Sequence, residues 1–255
     1  MQIAIVTGAS SGLGREYCLL LNAENLDEIW LIARRENLLR SLAEEIHTRT
    51  KIFPCDLLND EHIQKFFDAL ELEKPDVKFF INSAGFGKIG GASDIELDDL
   101  RKMIDLNCKS AVILTQKIIP FMSAGSHILQ ICSCSAFQPI PYLNVYAATK
   151  SFLLSYSRAL AVELAPKKIF VSAICPYRIK DTEFISVAQD TKNSSYIKNF
   201  PFAGTAKEIA IKSFRAAKSG AIVITPDIIS TLHRFITKIF PKKLLMISSK
   251  IFHRL

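Results

Sequence analysis

The sequence has no Cys-x-x-Cys pair and no cysteine set beside spaced histidines. Its six cysteines, Cys18, Cys55, Cys108, Cys132, Cys134 and Cys175, therefore argue against a metal site, a redox pair or a disulfide framework, and read as buried free thiols of a reducing cytosol. Uninterrupted apolar runs are also missing. Even "AVILTQKIIPFM" (Ala111 to Met122) is broken by Lys117, well short of the ~18 residues a membrane span requires. No charged n-region and cleavage site precede the apolar "QIAIVT" after Met1, so no signal peptide is expected and Met1 reads as the mature start. There is no internal repeat, low-complexity linker or Pro/Gly-rich boundary, which makes one domain the economical reading. Together these absences predict a soluble, cytoplasmic protein.

What is present is ordinary globular composition: 255 residues, 49% apolar and 22% charged, enough for one large core. The net charge of +7 is unevenly placed. From Lys207 to Leu255 there are ten Lys/Arg against two Asp/Glu, whereas residues 1–206 carry 22 basic and 23 acidic side chains. A nucleic-acid enzyme usually builds its basic face into the fold with stacking aromatics nearby. The present pattern does not suggest that class, and no nucleic-acid partner is expected.

Seven apolar runs of strand length, "QIAIVT", "EIWLIA", "KIFPC", "VKFFIN", "SHILQIC", "KIFVSAI" and "AIVIT", alternate with amphipathic stretches such as "ENLLRSLAEEIHTR" and "DEHIQKFFDALELE". Each stretch is long enough for a right-handed crossover. The strands lack polar alternation, as strands buried on both sides do. The pattern predicts an α/β fold of Rossmann type: a doubly wound parallel seven-stranded sheet with helices on both faces. In such sheets the ligand crevice lies outside the carboxyl ends of the strands.

The first strand ends in "TGASSGLGRE", with Gly8, Gly12 and Gly14 leading into a helix. Glycines permit the tight turn and close backbone approach, and the helix N-terminus offers free N–H groups and a positive dipole to a pyrophosphate. The second strand ends in "WLIARREN". A carboxylate at Ala33 would hold the adenosine ribose and repel a 2′-phosphate; instead a neutral residue precedes Arg34 and Arg35, which predicts NADP(H) over NAD(H). Guanidinium groups suit phosphate through paired donors.

With these features in place, the sequence from Gln2 to about Thr225 resembles the short-chain dehydrogenase/reductase superfamily. The marks are "TGASSGLG" (Thr7 to Gly14), "CDL" (Cys55 to Leu57), "NSAG" (Asn82 to Gly85), Asn107, Ser133 in "ICSCSA" and "YAATK" (Tyr146 to Lys150). Their order along the chain makes the signal. Tyr146 and Lys150, four apart, share one helix face. A free tyrosine titrates near ~10, and the Lys150 ammonium with an oxidised nicotinamide is expected to lower that value by about two, which takes roughly 2.7 kcal/mol.

The resemblance implies that Tyr146 exchanges the proton with the substrate oxygen and Ser133 orients that oxygen. Lys150 would bind the nicotinamide ribose, and Asn107 would hold a relay water. It implies cofactor contacts from Gly8, Ser10, Ser11, Gly12, Leu13, Gly14, Arg34, Arg35, Asp56, Leu57, Asn82 (at the ribose), Ala84, Gly85, Tyr146, Lys150, Pro176, Ile179 and Thr182. A homodimer or homotetramer follows from the same likeness. Cys132 and Cys134 are expected to face away from Ser133 by strand alternation.

The chain departs from the family after the sixth strand, where "CPYRIKDTEF" puts Tyr177 in place of glycine, so the loop is expected to turn differently. Residues 185–202 read as a short mobile lid. Phe86, Phe137, Tyr142 and Phe184, with Pro139 and Tyr196, are the expected pocket lining, for an apolar ketone, aldehyde or secondary alcohol. A hydroxysteroid or lipid-type dehydrogenase is the alternative substrate class, and an NADP-binding regulator or scaffold the non-enzymatic one. The domain is expected to span 1–226, with 227–255 as a basic amphipathic C-terminal extension. Its apolar stripe (Ile228, Ile229, Leu232, Phe235, Ile236, Ile239) either packs on the body or a partner subunit, or lies on an anionic membrane surface.

Overall fold

Seven parallel strands form one sheet in the order β3-β2-β1-β4-β5-β6-β7. The structure is a computed structural model describing residues 1–197 and 203–252; residues 198–202 of the expected lid, residues 253–255 of the tail and the side chains of 248–252 lie outside the description. The strands are β1 (Gln2–Thr7), β2 (Glu28–Ala33), β3 (Thr50–Pro54), β4 (Asp76–Asn82), β5 (His127–Ile131), β6 (Phe170–Ile174) and β7 (Val223–Ile224). They fall on the seven apolar runs. β2 and β5 are buried at every residue, which is why neither shows polar alternation.

Between the strands lie α1 (Gly12–Leu21), α2 (Glu36–Glu45), α3 (Asp60–Glu73), α4 (Leu97–Ile104), α5 (Ala111–Ile118), α6 (Asn144–Leu164), α7 (Phe184–Gln189) and α8 (Ala206–Lys218), followed by α9 (Ile228–Ile239) and α10 (Lys242–Phe252). α3 starts where Asn59 accepts hydrogen bonds from the Glu61 and His62 backbone N–H groups, and stops at Lys74 in the left-handed region. Thr205 and Glu208 close a capping box at the start of α8. Such caps satisfy N–H groups that the first helical turn leaves open.

One apolar layer lies beneath α1, α2 and α8, with Tyr17, Leu21, Leu39 and Phe214 against Val6, Leu31 and Phe79. The other lies beneath α3, α5 and α6, with Phe66, Leu114 and Leu160 against Trp30, Ile5 and Phe80. The sheet is thus covered on both faces within a single domain. β1 has β2 on one side and β4 on the other, so the strand order reverses there and the carboxyl ends of β1 and β4 frame a crevice.

Candidate active site

A cleft of about 1040 Å³ opens over that crevice. Its floor at one end is the turn after β1. Gly8 and Gly12 adopt positive φ, and a Cβ on Gly8 would press on the Ala84 backbone nitrogen at 3.0 Å. No side chain caps α1, so its first-turn N–H groups open toward the cleft, where Ser10, Ser11, Gly12 and Leu13 lie. Gly14 stands outside the lining. A Cβ there would lie 2.2 Å from the Gly8 carbonyl oxygen, so this glycine serves helix-on-turn packing.

Arg34 and Arg35 line the same end, but they differ. Arg35 donates through both terminal nitrogens to Glu183, at 2.8 Å each, and to Ser11 Oγ at 2.9 Å. That hydrogen bonding holds the Arg35 guanidinium above its ordinary pKa and the Glu183 carboxyl below its own. Arg34 is exposed and, among the described residues, has no hydrogen-bond or ion-pair partner. Glu183 is a cleft residue the sequence reading missed; it lies 148 positions from Arg35, and no local pattern marks it.

Asp56, Leu57, Ala84 and Gly85 line the cleft, and Asp56 also accepts from the Leu58 N–H at 3.0 Å. Asn82 does not reach it. Its carboxamide oxygen accepts from Thr7 Oγ1 at 3.0 Å, while its nitrogen donates to Gln130 Oε1 at 3.0 Å and to the Ala111 carbonyl at 3.3 Å. Gln130 in turn donates to Thr115 Oγ1 at 2.8 Å. Thr7 Oγ1 accepts from the Ser83 and Ala84 N–H groups. Asn82 therefore lies beneath the crevice, with its side chain engaged by a buried network, and not at a ribose position as expected.

The other end of the cleft gathers Ser133, Tyr146 and Lys150. α6 presents Tyr146 and Lys150 one turn apart, both buried. Ser133 lies two residues past β5, where its Oγ accepts from the Ser135 N–H at 3.1 Å and caps a 3-10 turn, Cys134–Phe137. Because the strand has ended, strand alternation does not apply, and Cys132 and Cys134 line the cleft beside Ser133 rather than facing away. Burial pushes the Cys134 thiol up to about 12, so it is protonated and unreactive near neutral pH.

Lys150 Nζ donates to the Ile131 carbonyl at 2.7 Å and lies 5.7 Å from the centre of the Tyr146 ring. Burial raises the Tyr146 phenol above its ordinary value, opposed by a hydrogen bond with Ser133, and pulls the Lys150 ammonium below its own. Desolvation is the largest influence on the phenol and the Lys150 ammonium is not among those that lower it, so the direction is opposite to the lowering expected from Lys150 with an oxidised nicotinamide. Asn107 sits in one turn of π-helix, Asp105–Ser110, joining α4 to α5. It donates to the Phe86 carbonyl at 2.9 Å and to Thr149 Oγ1 at 3.1 Å, and accepts from the Phe86 N–H. A Cβ on Gly85 would lie 2.9 Å from Asn107 Oδ1 and 3.4 Å from Lys150 Nζ, so glycine keeps that corner open. π-turns of this kind frequently accompany functional sites.

This Tyr-x-x-x-Lys helix beside a serine, over a glycine turn at a strand-order reversal, is matched by a family model described as short chain dehydrogenase, over residues 2–193. The chain belongs to the short-chain dehydrogenase family. It is an oxidoreductase of that family. An uncharacterized oxidoreductase of Staphylococcus epidermidis is 29% identical over 177 residues, covering 69% of this chain and 76% of that protein. Two solved structures share the fold: a short-chain dehydrogenase from Sphingobium yanoikuyae in complex with NADPH (TM-score 0.75, 21% identity, 94% of this chain and 96% of the other), and a short chain dehydrogenase/reductase from Burkholderia phymatum in complex with NAD (TM-score 0.79, 18% identity, 92% of each).

Within this short-chain dehydrogenase the departing loop turns without positive φ at Tyr177; the Tyr177 N–H instead donates to Asp227 Oδ2 at 3.1 Å. Pro176, Ile179 and Thr182 still line the cleft, and Ile179 forms a bridge with Gly204. The segment expected to be a mobile lid begins inside α7 and is tied to the β4–α4 connection by the Ile89 N–H to Ala188 carbonyl bond at 2.7 Å and by Lys88 Nζ to the Asp190 carbonyl at 2.6 Å. Of the four aromatics expected in the pocket, Phe86 and Phe184 line it. Phe137 does not; it faces a smaller cavity against α10 and packs 6.2 Å from the His233 ring. Tyr142 stacks on Tyr196 at 4.0 Å, which turns both away from the cleft. Their places are taken by Gln138, His233, Ile236 and Leu245, the last three from the C-terminal helices.

Proposed function

We propose that the protein is an NADP(H)-dependent carbonyl reductase acting on an apolar ketone or aldehyde, or in reverse on a secondary alcohol. The observation that carries this reading is the convergence of Ser133, Tyr146 and Lys150 at one end of a cleft, with Asn107 buried behind Gly85, while the other end has the form of a nucleotide cradle. The residues present suit a dinucleotide: an uncapped helix start, a glycine where a Cβ would meet Ala84, and Arg34 unpaired for a 2′-phosphate. When bound, that group supplies or accepts the hydride at nicotinamide C4.

Every other part of the reaction belongs to this chain. Ser133 donates a hydrogen bond to the substrate oxygen and holds it beside Tyr146. The phenol, kept neutral by burial, donates its proton as negative charge develops on that oxygen. Lys150, fixed by the Ile131 carbonyl, binds the ribose hydroxyls, while Asn107 fixes the Phe86 backbone and holds a relay water. Phe86 and Phe184 supply apolar walls. Because the acid form of Tyr146 persists to above its ordinary value of ~10, reduction is expected to be level through neutral pH and to fall only in alkali.

A hydroxysteroid or lipid-type substrate is the second reading, favoured by the apolar Ile236 and Leu245 that the tail adds to the cleft wall. A cytoplasmic homodimer or homotetramer is the proposed assembly; support comes from the six free thiols and from exposed Leu97, Ile104, Phe152 and Val162 on α4 and α6. The test is NADPH consumption with a panel of apolar ketones. Tyr146→Phe should lower turnover ~100- to 10,000-fold with circular dichroism and NADPH binding preserved. Turnover undiminished in that variant would overturn the mechanism, and none with any carbonyl would favour a regulator or scaffold.

A further inference from the structure

We infer that the C-terminal helices dock on an anionic lipid surface, so that the substrate end of the cleft opens at the bilayer. α9 carries its apolar stripe outward. Ile228, Leu232, Phe235 and Ile239, at helical spacing, are 84, 53, 62 and 58% exposed. Polar bonds on the opposite side fix that rotation. Asp227 and Ser230 form a capping box with Ser230 buried, and Arg234 Nη1 donates to the Val223 carbonyl at 2.9 Å. Of the six stripe positions, Ile229 and Ile236 are half-buried against the body while the other four are not covered by it.

After Pro241, α10 repeats the arrangement, exposing Leu244 and Ile247 while Leu245 lines the cleft. Elsewhere the exposed apolar residues are spread over several elements, at most two to a helix; here seven, Phe240 included, fall within twenty positions.

Charge selects the occupant. From Ile228 to Leu255 the sequence has six Lys/Arg and no Asp or Glu, and Lys238, Lys242 and Lys243 are exposed beside the apolar positions. A second copy would bring the same positive charge to the contact, whereas an anionic headgroup layer brings its complement. Among the described residues no helix is long and apolar enough to cross a membrane, so these helices would lie in the interface plane. The inner sides of α9 and α10 place His233, Ile236 and Leu245 on the cleft while their outer sides meet lipid. A substrate dissolved in the bilayer therefore has a short path to Tyr146. This delivery step rests on the proposed reductase reading; the docking itself does not.

The experiment sediments the full-length protein with vesicles of phosphatidylglycerol and phosphatidylcholine, and with phosphatidylcholine alone, over a range of salt. Binding to the anionic vesicles that weakens with salt is expected, with roughly ten-fold weaker partition for Leu232→Glu/Phe235→Glu and for Lys238→Glu/Lys242→Glu/Lys243→Glu. Those positions are exposed and off the cleft, so melting temperature and turnover of a water-soluble ketone should match the parent protein. Absent or charge-independent sedimentation, or variants that bind like the parent, would refute the docking. So would vesicle-free protein whose size on gel filtration falls in Leu232→Glu/Phe235→Glu, because a second copy then covers the stripe. Loss of ketone turnover in the parent sinks the reductase reading alone, which keeps the two failures distinct.

Discussion

The two ends of the cleft are made by different means. The nucleotide end is mostly backbone: positive-φ glycines, an uncapped helix start and N–H groups aligned by Thr7, all just past the carboxyl ends of the buried strands β1 and β4. The outer end is mostly side chain, contributed by the 3-10 turn, α6, α7 and two helices whose apolar faces look outward. Backbone sites recognise what all dinucleotides share. Side chains on peripheral elements are free to change without disturbing the sheet, so substrate choice belongs there.

Arg34 and Arg35 are where this contrast can be broken, since they are side chains at the backbone end. Arg34→Ala should weaken NADPH binding roughly 10- to 150-fold, as loss of hydrogen bonds between charged groups of ~1.5–3 kcal/mol implies, and leave NADH binding unchanged. Parallel calorimetric titrations measure this, and equal losses for both cofactors would remove the 2′-phosphate assignment. Gly14→Ala sharpens the contrast from the other direction. The added Cβ meets the Gly8 carbonyl, and overpacking of ~1–3 kcal/mol should lower the melting temperature by roughly 2–10 °C along with affinity for both cofactors. A small methyl on α1 without effect would show that the turn yields easily. Glu183→Gln should have the smallest effect. It frees Arg35 from an exposed pair of the kind worth ~0.2–1 kcal/mol, so NADPH should bind up to about five-fold more tightly at low salt, and weaker binding would mean that Glu183 orders the site instead.

Much of the nucleotide end was legible in the sequence because its determinants are local. "TGASSGLG" contains its own strand end, turn and helix start, and Tyr146 with Lys150 needs only helical periodicity. What escaped reading depends on distant partners. Nothing near Arg35 announces Glu183, and nothing in "NSAG" says that the Asn82 amide is engaged by Gln130 from a neighbouring strand. Phe137 and Tyr142 are aromatic residues near Ser133 in the sequence, a description that cannot distinguish a ring facing the cleft from one stacked on Tyr196. The periodicity of α9 located its apolar stripe but not the direction it faces; that was decided by Asp227, Ser230 and Arg234 on the opposite side. The tyrosine pKa was misjudged for a related reason: spacing reveals the nearest charge, while burial is a property of the whole fold.

The chain of bonds from Thr7 through Asn82 and Gln130 to Thr115 joins β1, β4, β5 and α5. Its atoms are buried, and each member finds its partner only when the strands are aligned as they are. Sliding one strand by a single residue would turn these side chains to the opposite face and leave several buried polar groups unpaired. Apolar neighbours tolerate such a slip far better, since one isoleucine packs much like another. The network thus acts as an alignment gauge, set toward the carboxyl ends of central strands, where the Ser83 and Ala84 N–H groups must be held in place.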